Sequence, residues 1–353
     1  MNVSFQPLFT MRGLVAALAA VALATSTAGY TQAALWSGAG DGVSYEDPLN
    51  WDVVEAFPGS TRDIASPATV VRAADVTVNR TFVSGGAVLN VTGGTQSDGQ
   101  SGNTIRNFVG NGSVGTVNMS GGAYGIGHVL AIAHSNNSDG VFSVTGGDLS
   151  VFRGGNSLVG GYGGIFAQGH SISIGGNSTG SNVTGLFEIS GGSLVTRTGV
   201  AVANNGVFSV VGSATNQIRL GGSNDDAGWF AVSSNGTLKA AVDSSITPIF
   251  VEAQTNTSPI NPGVEFQLGA LLDLSFVGAP TPGTWTLLEL EGQDIVDGGL
   301  ALSGTTASGW SFAVDNNGDN GLLTATYTAV PEPASLALMV LGGLFALQLR
   351  RKA

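Results

Sequence analysis

The chain has 353 residues, of which 55 are glycine, 10% are charged and none is cysteine, with a formal net charge of −12. Glycine stands at more than twice its usual share of about 7%, and charge falls far below the ~25% of an average soluble domain. These figures exclude a disulfide scaffold and cysteine-ligated metal. They argue against nucleic acid as a partner, because the 12 basic residues form no basic stripe. The glycines follow no three-residue period, which excludes collagen, and 42% hydrophobic residues argue for a folded chain.

Residues 1–33 have the layout of a secretory signal peptide. Arg12 supplies the positive segment, 14–24 is an unbroken apolar run, and small residues precede cleavage points after Ala28 or Ala33. Residues 34–81 then read as an N-terminal cap with irregular first coils. This segment holds Trp36, Asp41-Gly42, Asp47-Pro48 and Asn50-Trp51, followed by apolar-rich strands over 69–78. The segment resembles the opening of secreted bacterial β-helix surface proteins with autotransporter-like repeats.

From 82 to 239 the chain repeats itself, which is the first thing to look for in a sequence. The clearest copies are 115–122 (GTVNMSGG), 140–147 (GVFSVTGG) and 185–192 (GLFEISGG). Residues 206–213 and 87–94 keep the pattern with one substitution each, and degenerate copies begin at Gly164 and Gly228. Residues three and five of a copy share one face of a strand. The third column reads Leu89, Val117, Phe142, Phe166, Phe187, Phe208, Phe230. The fifth reads Val91, Met119, Val144, Gln168, Ile189, Val210, Val232, so thirteen of the fourteen are apolar. That alternation is strand periodicity. Stacked at about 4.8 Å, the copies predict an all-β parallel β-helix with an internal phenylalanine ladder and Gly-Gly pairs at its corners. A hairpin sandwich is the alternative. Residues 240–329 lose the repeat and predict a C-terminal cap of antiparallel strands at 264–268, 271–277, 285–290, 310–314 and 322–327.

The last segment, 330–353, begins Val330, Pro331, Glu332, Pro333. It continues as an apolar stretch over 334–349 and ends Arg350, Arg351, Lys352. Sixteen helical residues span about 24 Å, short for a bilayer core of about 30 Å but extendable by snorkelling of the basic end. The basic cluster belongs on the cytoplasmic side. The three parts together resemble the PEP-CTERM sorting signal of exosortase substrates. The resemblance implies export, transient membrane retention through the C-terminal helix, and processing by an exosortase-type membrane enzyme. It also implies association with exopolysaccharide, biofilm and the cell surface or extracellular matrix. Taking Arg12, Arg350, Arg351 and Lys352 from the 12 basic residues and Glu332 from the 24 acidic ones leaves a body of −15 over 34–329.

Residues that could carry chemistry are sparse. A glycosidase needs two carboxylates at a set separation. Asp139, Asp148 and Arg153 make the best local group, and solvated turn residues are the favoured explanation of it. His128, His134 and His170 show no zinc-ligand spacing. Residues 315–321 (DNNGDNG) alternate oxygen ligands as a Ca²⁺ loop does, but Thr326 stands where that loop needs glutamate. No catalytic, cofactor or metal site is therefore assigned. The expectation is a non-enzymatic, structural or adhesive protein, with a β-helix polysaccharide lyase or hydrolase as the alternative.

Overall fold

A computed structural model of the chain describes residues 33–52, 61–98, 106–127, 129–152, 170–176, 182–221, 228–252, 263–303 and 309–329. Apart from a 3-10 turn at Pro48–Asn50, regular structure among these residues is β-strand. Each coil lays down one strand on each of three faces. In one coil these are Arg80–Val83 on face one, Ala87–Val91 on face two and Thr95–Asp98 on face three. Face one is a ten-stranded parallel sheet, and faces two and three join in a 17-stranded sheet.

The register follows the sequence pattern. On face two, Val70, Leu89, Val117, Phe142, Phe187, Phe208, Leu238, Leu272 and Leu302 lie in one column. Phe142 stacks on Phe187 at 5.8 Å, and Phe187 on Phe208 at 5.2 Å. All three are fully buried, and each such ring contributes roughly 1.5–3 kcal/mol by leaving water.

The Gly-Gly pairs sit where face two turns into face three. Gly94, Gly122, Gly147 and Gly192 have φ of 65°, 74°, 84° and 73°, a region costly for any residue with a Cβ. Space forbids a side chain as well. A Cβ on Gly192 would lie 2.2 Å from the Gly147 carbonyl oxygen, and one on Gly122 2.4 Å from that of Gly94. Side chains stand only at the ends of this glycine column, Ala74 beneath Gly94 and Thr215 above Gly192. In two coils the corner is gentle enough that Ser138–Val151 and Val183–Thr196 run across both faces as single 14-residue strands.

Three expectations need correction. No coil separates the 140 copy from the 185 copy. Phe142 pairs directly with Phe187, and Asp148 and Ser193, also partners, are 45 positions apart in the chain. The copy begun at Gly164 therefore has no place in the ladder, and Phe166 and Gln168 lie outside the described residues. The copy begun at Gly228 is on another face. Phe230 pairs with Val200 and Val264 on face one, and meets Phe208 edge-on across the interior at 5.5 Å. Thr237–Val242 takes the face-two position instead, because leucine at 238 fills the slot as phenylalanine does elsewhere.

Third, parallel stacking continues beyond 240. Ile249–Val251, Val264–Phe266, Leu271–Phe276 and Ala301–Ser303 all add parallel strands. Antiparallel pairing is confined to Gly283–Leu290 with Gly321–Tyr327, and Gly321–Tyr327 with Trp310–Asp315. The repeat signal fades there because leucine replaces phenylalanine and the glycine pairs are gone, while the face alternation persists. The strands expected over 69–78 are two, Thr69–Arg72 and Val76–Val78, bent between faces two and three.

Candidate functional site

The outer side of face two carries a polar column, mostly half-exposed, with Ser209 fully buried within it. Asn90, Asn118, Ser143, Glu188, Ser209, Lys239, Asp273 and Ser303 follow one another in register. Asn118 donates to Asn90 at 3.0 Å and Ser209 to Glu188 at 3.2 Å. Beside it runs a column of Val88, Thr116, Val141, Leu186, Val207, Thr237 and Leu271, half-buried. A shallow groove at the adjoining corner is lined by Thr184, Asn205, Val207, Asn235 and Thr237. Asn205 and Asn235 hold left-handed backbone there, with φ of 57° and 59°, and Asn235 donates to Asn204 at 3.2 Å. The polar residues were visible in the sequence. Asn118, Ser143, Glu188 and Ser209 share the fourth position of their copies, and the coil register extends them into a column from Asn90 to Ser303.

The candidate catalytic group does not converge. Asp139 pairs with Val114 and Thr184 at the start of face two, and Asp148 with Ala123 and Ser193 at the start of face three. The width of face two lies between them, and Asp148 accepts from the Ser193 hydroxyl at 2.5 Å. Arg153 and His128 lie outside the described residues. His134 is buried against Phe108, at 6.1 Å, and His170 against Trp229, at 5.9 Å. Among the described residues no cluster of His, Asp or Glu is placed to hold a metal.

The 315–321 segment is a hairpin turn in which oxygens of Asp315, Asn316 and Asn320 accept hydrogen bonds. The Asp315 carboxylate accepts from both nitrogens of Asn317 at 2.9 Å. Asn316 accepts from the Ile295 amide at 2.9 Å, and Asn320 accepts from that of Gly292 at 3.0 Å while donating to Glu289 at 2.7 Å. These bonds stitch the turn to 292–295.

The N-terminal end is organised around Asn50, fully buried. Its oxygen accepts from the amides of Gly40 and Gly42, and its amide donates to Asp41 and to the Ser44 carbonyl. The Ser44 hydroxyl, the Val43 and Ser44 amides and Asn50 together hold the Asp41 carboxyl well below the usual carboxylate range. Trp51 donates to the Tyr45 carbonyl and packs edge-on against Trp36 and Tyr45, while Arg62 lies 4.4 Å over its ring. Burial pushes the neighbouring Asp63 carboxyl up. Sequence reasoning marked these residues as a cap but missed Asn50 as its hub. An Asp-Gly turn eight residues before an Asn-Trp pair was the available signal.

The other end closes on Phe276, Trp285, Trp310 and Tyr327, whose rings lie 4.8–5.8 Å apart. The last backbone hydrogen bond there runs from Thr328 to the Gly309 carbonyl, 2.9 Å. The sorting residues Val330 to Pro333, the apolar stretch and Arg350, Arg351 and Lys352 lie outside the described residues, as does the signal peptide. Among the described residues no helix is long and apolar enough to cross a membrane.

No curated protein and no solved structure matches the chain. Residues 329–352 do match the PEP-CTERM protein-sorting motif. That match begins at the point where the β-sheet ends, and it accounts for the tail that the folded body does not. The chain carries a PEP-CTERM sorting motif, which implies an exported protein processed at the membrane by an exosortase.

Proposed function

We propose that this protein is an exported β-solenoid displayed at the cell surface or in the extracellular matrix, where it acts as a structural or adhesive element touching exopolysaccharide. The observation that carries the reading is the outward column from Asn90 to Ser303, a row of hydrogen-bonding side chains repeated at strand spacing. Weak contacts repeated along a stiff rod add up by multivalency. The acidic body favours uncharged sugars, or anionic polymer bridged by divalent cations. Asp139 and Asp148, the best acids for an enzyme, sit at opposite edges of face two.

The test is to incubate the purified chain with the producing strain's exopolysaccharide, with and without Ca²⁺, and to follow co-sedimentation and polymer size. Co-sedimentation with unchanged polymer mass is expected. Falling polymer mass makes the protein a lyase or hydrolase, and absence of co-sedimentation in both conditions removes the polysaccharide role. In the producing strain, a chain ending at Ala329 should leave the membrane fraction altogether.

A further inference from the structure

We infer that, before processing, one defined edge of the C-terminal end of the solenoid lies against the lipid headgroup layer: the uncharged corner from which the tail leaves. The inference rests on the sorting reading of the tail and adds to it an orientation of the folded body.

The tether holds the last strand close to the membrane. Thr328 is still hydrogen-bonded to Gly309, and Pro331 follows three residues later. Three extended residues reach about 10 Å. Pro331, Glu332 and Pro333 add about the same before the apolar stretch enters the hydrocarbon, and the headgroup layer itself is about 5–7 Å thick. The last strand is therefore held within roughly 14 Å of the headgroup surface.

The side of the body nearest the tail is set by the register. Tyr327 pairs with Gly283 and with Trp310, and Thr326 with Thr284 and Ser311. The exposed loop 277–282, with Val277 55% exposed, leads into Gly283. In sequence, 274–288, 298–314 and 320–331 contain no charged residue. Asp243, one coil away beside Val277, has its oxygens engaged by Ser213 at 3.2 Å and by the Ser245 amide at 2.8 Å. At the other end of the same strands the acids gather. Glu289, Glu291, Asp294, Asp315 and Asp319 surround the stitched hairpin turn, about 23 Å away along Gly283–Leu290.

A body of −15 is repelled by anionic lipid wherever its acids face the membrane. Here the edge brought closest is the one without charge, and it exposes Val277, Pro280, Thr281, Pro282 and Thr284, with Tyr327 half-buried beside them. The acidic edge is turned away.

The chain has no cysteine, so single labels are unambiguous. Thr281→Cys and Asn317→Cys, both at exposed positions, are made in the chain Ala34–Ala353, labelled with a fluorophore and reconstituted into phosphatidylethanolamine–phosphatidylglycerol vesicles. Headgroup spin-labelled lipid is the quencher. The label at 281 should be quenched several-fold more than the label at 317. A chain that floats with the vesicles but shows equal or reversed quenching overturns this inference alone. A chain that does not float overturns membrane retention, and the inference with it.

Discussion

The first coils and the later coils share one scaffold and differ in what they bury. On face one the inward column begins Arg62, Thr81, Asn107 and continues Leu130, Ile172, Val200, Phe230, Val264. On face three Gln96 stands between Val76 and Tyr124, with Leu149 and Leu194 following. On face two Arg72 occupies the place held above it by Val91 and Met119. The buried polar groups are bonded across coils. Between coils, the Thr81 amide donates to Asn107 at 2.6 Å, Tyr45 and Thr81 share a bond of 3.1 Å, and Arg72 donates to the Ala123 carbonyl at 3.4 Å while lying 5.6 Å over Tyr124; within one coil Gln96 donates to Thr81 at 3.0 Å. An apolar column stacks like on like, so a slip by one coil changes few contacts. Directional hydrogen bonds match in only one alignment. The first coils thus specify which coil is first, and the later ones supply bulk stability.

Phe187→Asp breaks the later coils most severely. It places a carboxylate between Phe142 and Phe208 with no partner, and should cost more than about 4 kcal/mol. The urea midpoint should collapse and the fluorescence of Trp229 and Trp285, far from the N-terminal cap, should report it. An unchanged midpoint would overturn the register of face two. Gly192→Ala comes next. The left-handed backbone and the 2.2 Å approach to Gly147 together should cost roughly 2–4 kcal/mol. The contrast is Ala74→Gly at the foot of the same column, which should shift the midpoint little. Equal effects at the two positions would mean that the corner does not tighten after the first coil.

Asn50→Ala tests the polar end. It removes the acceptor for the Gly40 and Gly42 amides and a donor to Asp41, a loss of roughly 1–3 kcal/mol. Hydrogen exchange should rise in 33–52 and the first coils, and stay low around Phe187. Uniform exchange across the chain would show that the two regions unfold as one.

Much of this division was readable in the sequence, and the reasons for the misses are physical. The face-two column from Leu89 to Phe208 was legible because a glycine pair resets the count after every strand but the last, where Gly212-Ser213 keeps half of it. Leu238, Leu272 and Leu302 continue it without that punctuation, so the chain past 240 looked like a separate domain. Phe230 misled because face one has the same period-two alternation as face two, and composition cannot say which face a strand joins. Arg72 was hidden inside an apolar-rich stretch, its burial set by partners two coils away. The sorting motif was legible outright, since its order of prolines, apolar run and basic end is local. The outward polar column was legible only at Asn118, Ser143, Glu188 and Ser209, the fourth residues of the copies; Lys239, Asp273 and Ser303 were not, because they lie on strands outside the recognised copies.

The smallest effect separates the two regions by pH. Asp41 is held below the usual carboxylate range by the Ser44 hydroxyl, the Val43 and Ser44 amides and Asn50, all on the N-terminal cap. Its native carboxyl therefore binds a proton more weakly than the unfolded one, whose pKa is about 3.9. The stabilisation is fully present above that value and is lost as pH falls below it, because the unfolded state then takes up the proton first. The urea midpoint of the wild type should drop progressively as the pH falls below about 4, where the unfolded carboxyl takes up its proton. Asp41→Asn should start lower at neutral pH and fall by less, since the group that titrates is gone while every other carboxylate remains. The later coils bury no carboxylate in their columns, so exchange protection around Phe142 and Phe208 should be the same in both proteins across that range. If wild type and Asp41→Asn lose stability in parallel on acidification, the cap is not the acid-sensitive end, and the hydrogen bonds at Asp41 contribute geometry without stability.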